Sequence, residues 1–419
     1  MKTFIFAAGA SIPFFYPMLS TAYLTDKVKD VNEWGRVINK YRQYVDPSTM
    51  IVSAQEVSDV INQILTFDHS LNFEQIAEII DKVSSINYDS LPSNNMLNLY
   101  LGTLHNLGMY HRQKYNSLGW RDIPFLYRQI IAEAILELEN SKRSADYDIL
   151  TNSQHDFIKY VSDEDSQVSI MSLNYDNNVL NSLEGLGFEK GFESTSRWQY
   201  GLQLNIGTFM NSPKVIYFPH GHLRFCFKDN NDISFFMDSV IANEERWTGL
   251  NQTMLGSTMP VIPGKFSYIF NTFITTGQTK DDILNTLPYA IYYQRLAVDI
   301  TNSDTIYIIG YSFGDEHINR LLKSFLKIEP TNKVYIIDYY PDNITMTDEY
   351  MDNNNLILKI RNVFGNEWIL NIDTHGAKTP ANPAEISNLN SNGYGEIFPN
   401  VIFYKKGYDA FLREFSIVL

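Results

Sequence analysis

Short blocks of apolar, β-branched and aromatic residues recur along the chain, and each runs straight into a small or polar turn. Thr3–Phe6 (TFIF) leads into Ala7-Ala8-Gly9-Ala10-Ser11. Val168–Leu173 (VSIMSL) leads into Asn174-Tyr175-Asp176, and Lys214–Phe218 (KVIYF) into Pro219-His220-Gly221-His222. Asp304–Ile309 (DTIYII) leads into Gly310-Tyr311-Ser312-Phe313-Gly314-Asp315, and Lys333–Ile337 (KVYII) ends at Asp338. Runs this short, with this composition, predict buried strands rather than helices.

Between the first two blocks the period changes. From about Asp26 to Tyr160 apolar residues recur at helical spacing: Val57, Val60, Ile61, Ile64 and Leu65; then Phe73, Ile76, Ile79, Ile80 and Val83; then Ile123, Leu126, Ile130, Ile131, Ala134, Ile135 and Leu138. Asn and Ser clusters such as Pro92 to Asn95 separate these segments. A Gly- and Ser-containing loop precedes Lys214, and a less regular stretch punctuated by Pro260, Pro263 and Gly264 follows Leu223. Asp281 to Asp299 reads as a helix kinked at Pro288, and an amphipathic helix carries Ile318, Leu321, Leu322, Phe325 and Leu326.

Strands alternating with helices predict an α/β protein with a Rossmann-like, doubly wound parallel sheet. The expected organisation is a nucleotide-binding domain over 1–345, interrupted by a large helical insertion at 26–160, and a small, Asn-rich C-terminal extension over 346–419. In sheets of this kind ligands bind beyond the carboxyl ends of the strands. That is where Gly9, Ser11, Asn174, Asp176, His220, Ser312 and Asp338 all fall.

Charge and composition narrow the function. The net charge is −15, from 48 acidic and 33 basic residues, which disfavours direct nucleic-acid binding over the whole surface. Cys226 is the only cysteine, so there is no disulfide framework and no cysteine-based zinc site. No apolar run reaches the ~18 residues of a membrane span. Lys2 and the apolar stretch to Leu19 have the outline of a secretory signal, but Gly9, Pro13 and Pro17 interrupt it and no small-x-small cleavage site precedes Asp26. The stretch therefore reads as strand plus turn, and the expected location is cytoplasmic.

The strand ends, taken together and in this order, resemble the sirtuin family. The sirtuin opening GAG-x-S is matched by Ala7-Ala8-Gly9-Ala10-Ser11, with alanine in place of the first glycine. The family's N-x-D is matched by Asn174-Tyr175-Asp176, its His-Gly by His220-Gly221 and its later Gly-x-Ser by Gly310-Tyr311-Ser312. The likeness covers the α/β core, roughly half the chain. Two sirtuin features are missing: the four zinc cysteines after His-Gly, and the Asp-Phe-Arg that would fall on Met18, Leu19 and Ser20. Protein deacylation is therefore not expected. The large helical insertion and the phrase GYSFGDEHINRLL resemble instead the bacterial sirtuin-like NADases of antiphage defence, which include Thoeris effectors, Argonaute-associated enzymes and subunits that assemble with HerA-type ATPases.

That resemblance implies NAD+ as substrate and no metal. It implies Asn174 and His220 as catalytic residues, with Ala8, Gly9, Ala10, Ser11, Asp176, Gly310 and Ser312 binding the cofactor-like substrate. Asp338, at the end of the following strand, suits the adenosine ribose. The residue chemistry agrees. A carboxamide at Asn174 can orient water or ribose hydroxyls without reacting, and a histidine can accept a proton near neutral pH. The resemblance also implies a homo-oligomer or a partner of HerA-type ATPase or Argonaute type. The 27 Tyr and 26 Phe exceed what one compact sheet core absorbs, which points the same way.

Other readings compete. The opening turn is also compatible with a tight turn that binds nothing. Gly310-Tyr-Ser312-Phe-Gly314 is a literal G-x-S-x-G after a strand, and with Asp338 and His375 it supplies the order of a serine hydrolase of α/β-hydrolase type. His220 and His222 on one side of an extended segment would suit a metal pair, though no third ligand stands out. A nucleotide-sensing subunit with a dead site is the non-enzymatic reading; the presence of both Asn174 and His220 argues against it. His317, in the first turn of a helix, reads as a surface or structural residue.

Overall fold

A computed structural model of the chain describes residues 1–42, 53–69, 71–85, 123–194, 202–228, 233–236, 287–329, 331–340, 356–365, 389 and 393–419. In chain order the strands are β1 (Lys2–Phe6), β2 (Val168–Ser172), β3 (Phe192–Ser194), β4 (Leu202–Leu204), β5 (Lys214–Tyr217), β6 (Phe225–Lys228), β7 (Ile233–Phe236), β8 (Thr305–Ile309), β9 (Lys333–Ile337), β10 (Tyr394–Phe398) and β11 (Val401–Tyr404).

All five apolar blocks become neighbours in one seven-stranded sheet of order β10-β11-β9-β8-β1-β2-β5. Every pairing is parallel except that of β10 with β11. Renumbered among themselves, the six parallel strands run 3-2-1-4-5-6, the order of doubly wound dinucleotide-binding sheets. Burial explains why these blocks do not alternate: β2 and β8 are buried at every residue, so both faces call for apolar side chains.

Among the described residues the helices before the second strand are α1 (Ala8–Ser11), α2 (Thr21–Lys29), α3 (Val31–Arg42), α4 (Ala54–Phe67), α5 (Phe73–Ser85), α6 (Ile123–Ser141) and α7 (Tyr147–Glu164). All seven apolar positions expected on one face of α6 are buried, as are the five of α4. Local chemistry fixes the starts. Ser53 and Glu56 form a capping box at α4, and the Ser20 hydroxyl accepts from Tyr23 N at α2. The remaining described helices are α8 (Asn178–Ser182), α9 (Ile206–Asn211), α10 (Tyr289–Asn302), α11 (Glu316–Ile328), α12 (Leu356–Phe364) and α13 (Tyr408–Val418).

Three details differ from the sequence reading. First, α10 begins at Tyr289 with Pro288 as its N-cap, so this proline starts a helix rather than kinking one. Its missing N–H costs nothing there. Second, β3, β4, β7 and β6 form a separate antiparallel sheet in the region read as loop and irregular chain. Strands of three or four residues are too short to show a period. Third, the C-terminal extension places β11 beside β9 in the main sheet, and α13 packs on α7 through Phe411 against Phe157 (ring centroids 5.0 Å). The punctuation at Pro92 to Asn95 and at Pro260, Pro263 and Gly264, and the start of the expected helix at Asp281, lie outside the described residues. No described helix is long and apolar enough to cross a membrane.

Candidate functional site

The sheet's winding reverses between β1 and β8: the chain runs from β1 outward to β2 and β5, then returns to the other side of β1. At this switch point the two backbones touch. Gly9 N donates to the Gly310 carbonyl at 3.0 Å, and a Cβ on Gly9 would stand 2.6 Å from Gly310 Cα. Gly310 itself has φ +63, and a Cβ there would lie 2.2 Å from Ala10 N. Both glycines are therefore required by close approach. The Gly9 N–H is thus already bonded within the protein.

A cavity of about 420 Å³ opens over these strand ends, within the range of small-molecule sites. Ala8, Gly9, Ser11, Asn174, Asp176, His220, Gly310, Ser312 and Asp338 all line it. Of the expected site residues, Ala10 is buried behind the turn, and His375 lies outside the described residues.

The turns after β1 and β2 are locked together by a chain of side-chain bonds. Asn174 Nδ2 donates to the Ala7 carbonyl and to Ser11 Oγ, both at 2.9 Å. Ser11 Oγ in turn donates to Asp176 Oδ2 at 2.7 Å, and Asn178 N donates to Asp176 Oδ1 at 2.9 Å. A carbonyl can only accept, so the amide orientation of Asn174 is fixed and its Oδ1 is the end left for a ligand. The Ser11 hydroxyl is committed to Asn174 and Asp176, and the Asp176 carboxylate to Ser11 and Asn178 N. They build the site's wall. Burial raises the Asp176 carboxyl above the ordinary carboxylate range, and the Ser11 and Asn178 bonds oppose that.

Behind Asp176 stands a second buried carboxylate, Glu139 of α6. Its Oε1 accepts from Asn177 N at 2.5 Å and its Oε2 from Asn177 Nδ2 at 2.7 Å, while Arg224 Nε donates to Asn177 Oδ1 at 2.7 Å. Burial and the neighbouring Asp176 charge push Glu139 up to about 7.

The two histidines of the His-Gly-His turn have separate partners. His220 Nε2 meets Asp315 Oδ2 at 2.9 Å, both side chains buried. His222 Nδ1 accepts from Arg224 N at 3.2 Å, so its Nε2 carries the hydrogen given to the Asp176 carbonyl at 3.0 Å. With both nitrogens in use, His222 is a structural residue, and the two rings form no metal pair. Among the described residues no group of three His, Cys, Asp or Glu side chains is arranged to hold a metal. His317 packs edge-on against Tyr293, as a structural residue would.

The G-x-S-x-G segment lacks the strain of a nucleophile elbow, which sits on the serine itself. Here positive φ falls on Gly310 and Phe313, and the helix starts only at Glu316. Asp338 lies two strands from β1; Tyr339 N donates to its Oδ1 at 2.7 Å, and burial raises it to about 6.

Sequence reasoning missed the residues that come from afar. Asn72, Phe73 and Glu74, at the start of α5, form part of the cavity wall, and Tyr175 OH donates to Glu74 Oε1 at 3.2 Å. The helical insertion thus contributes directly to the site. Compared with protein-family models and with curated proteins, the sequence gives no match.

Proposed function

We propose that this chain is an NAD+ glycohydrolase, releasing nicotinamide and leaving ADP-ribose. One observation carries the reading: a carboxamide (Asn174) and an imidazole (His220) open onto a cavity at the switch point of a 3-2-1-4-5-6 sheet, with a carboxylate (Asp338) on its far side. The lining turns follow β5, β2, β1, β8 and β9 in spatial order, a span of about 19 Å at ~4.8 Å per strand. That suits an extended dinucleotide, with nicotinamide ribose by Asn174 and His220, pyrophosphate over Gly9 and Gly310, and adenosine ribose by Asp338.

The chemistry asks little of the protein. The pyridinium nitrogen leaves with the bonding electron pair, as neutral nicotinamide, and water captures the oxocarbenium-like ribosyl carbon. Asn174 Oδ1 orients the water or a ribose hydroxyl, and His220 takes the released proton. By resemblance we further propose that the enzyme is an antiphage effector that depletes NAD+, working as a homo-oligomer or with an ATPase or Argonaute partner. Light scattering coupled to size exclusion tests the first of these; a monomeric mass across micromolar concentrations counts against it.

The decisive assay is nicotinamide release from NAD+ by the purified chain, alone and with its assembly partner. Asn174→Ala and His220→Ala are each expected to reduce turnover by at least about 10²-fold while remaining folded. Near-parental turnover in either variant overturns the mechanism.

A further inference from the structure

The Asp315 carboxylate is divided between two tasks. Its Oδ1 caps α11, accepting from His317 N at 3.0 Å and Ile318 N at 3.4 Å. Its Oδ2 meets His220 Nε2 at 2.9 Å. Asp315 N also donates to the Tyr311 phenol at 3.2 Å, so the residue is held at backbone and side chain alike. Burial keeps the nearby Tyr311 and Tyr293 phenols protonated, so neither adds a charge. His220 Nδ1 has no partner among the described residues, and the ring lines the cavity.

We infer that Asp315 is the positioning residue of His220. A carboxylate bound to Nε2 fixes the Nε2–H tautomer and leaves the Nδ1 lone pair as the base. The helix N-terminus anchors Oδ1 and favours the ionised carboxylate, so Oδ2 stays a full acceptor. When water attacks the ribosyl carbon, its proton passes to Nδ1, and the imidazolium then shares a charge-assisted bond with Asp315. The proton leaves to solvent after ADP-ribose departs. This assignment rests on the glycohydrolase reading for its catalytic consequence, but the tautomer is a property of the free protein.

Asp315→Asn and Asp315→Ser separate positioning from capping, because Asn, Ser and Asp cap helices about equally well. The first measurement is ¹⁵N NMR of histidine-labelled protein above neutral pH, with His220→Gln identifying the signal. The parent is expected to show the Nε2–H tautomer, Asp315→Ser a mixture, and Asp315→Asn the Nδ1–H tautomer, because an Asn whose oxygen caps α11 turns its N–H2 group toward Nε2. The second is steady-state kinetics: each variant should lose about 10²–10⁴-fold in kcat with little change in KM. Adding Asp315→Asn to His220→Ala should cost nothing more. An Nδ1–H tautomer in the parent overturns the assignment, as does parental kcat in a folded variant. A parent that shows the expected tautomer yet releases no nicotinamide with its partner present refutes the glycohydrolase reading and leaves the Asp315–His220 pair standing.

Discussion

Gly9 and Gly310 meet backbone to backbone across the switch point, closer than any side chain permits: a Cβ on either would lie within 2.6 Å of the other strand's turn. The crevice depends on this contact, since it sets how near the ends of β1 and β8 can come. Gly310→Ala combines a left-handed backbone with a backbone clash and should cost about 2–4 kcal/mol. Urea denaturation measures it. A loss below about 0.5 kcal/mol would mean that the turns can separate freely.

Ser11 relays between Asn174 and Asp176. Ser11→Ala removes a donor from a buried carboxylate and an acceptor from the carboxamide, with an expected cost of about 1–3 kcal/mol. Asn174 would also lose one of the two bonds that hold it, keeping that to the Ala7 carbonyl, so nicotinamide release should fall with it. Parental stability together with parental turnover would show the relay to be idle.

Glu139 makes stability depend on pH. Its folded value, about 7, lies above the ordinary 4.5, so between those values the folded state keeps a proton that the unfolded state releases. Stability from this group is present below about 4.5 and is lost as pH rises through 7. Glu139→Gln should therefore be least stable relative to the parent at pH 5, with the gap narrowing by pH 8. Asp338, raised to about 6, acts in the same direction and is unchanged in the variant. Unfolding midpoints at the two pH values decide; a constant gap would contradict the assignment.

Ser312 distinguishes two chemistries. Under the glycohydrolase reading, Ser312→Ala raises KM for NAD+ severalfold, kcat persists, and the parent resists fluorophosphonate labelling. Labelling of Ser312 in the parent, abolished in the variant, would instead establish a nucleophilic serine.

The main sheet was legible because parallel strands buried on both faces must be written as apolar blocks, and VSIMSL and KVYII have few other uses. The strand-end residues were legible for the same reason, since they are what interrupts those blocks. Gly395 and Glu396 break the apolar run of β10, so the strands completing the sheet did not stand out in an Asn-rich stretch. Glu74 and Glu139 reach the site by folding of the insertion, and sequence spacing carries no trace of that. Asp315 left a partial signal: an aspartate just before an amphipathic helix marks a cap, but its second oxygen and His220 are 95 residues apart.

The strand that carries Asp338 is finished late in synthesis. Asp338 N donates to the Tyr404 carbonyl, Gly407 N donates to the Asp338 carbonyl, and β11 flanks β9 along its length. A ribosome moving at about 5–20 residues per second has made Gly9, Asn174 and His220 long before Tyr404 leaves the exit tunnel. Until then β9 is an open edge and the Asp338 end of the cavity has no settled floor. For a chain whose proposed activity drains the cofactor of the cell that makes it, this topology delays the competent site until nearly the whole sheet has been translated.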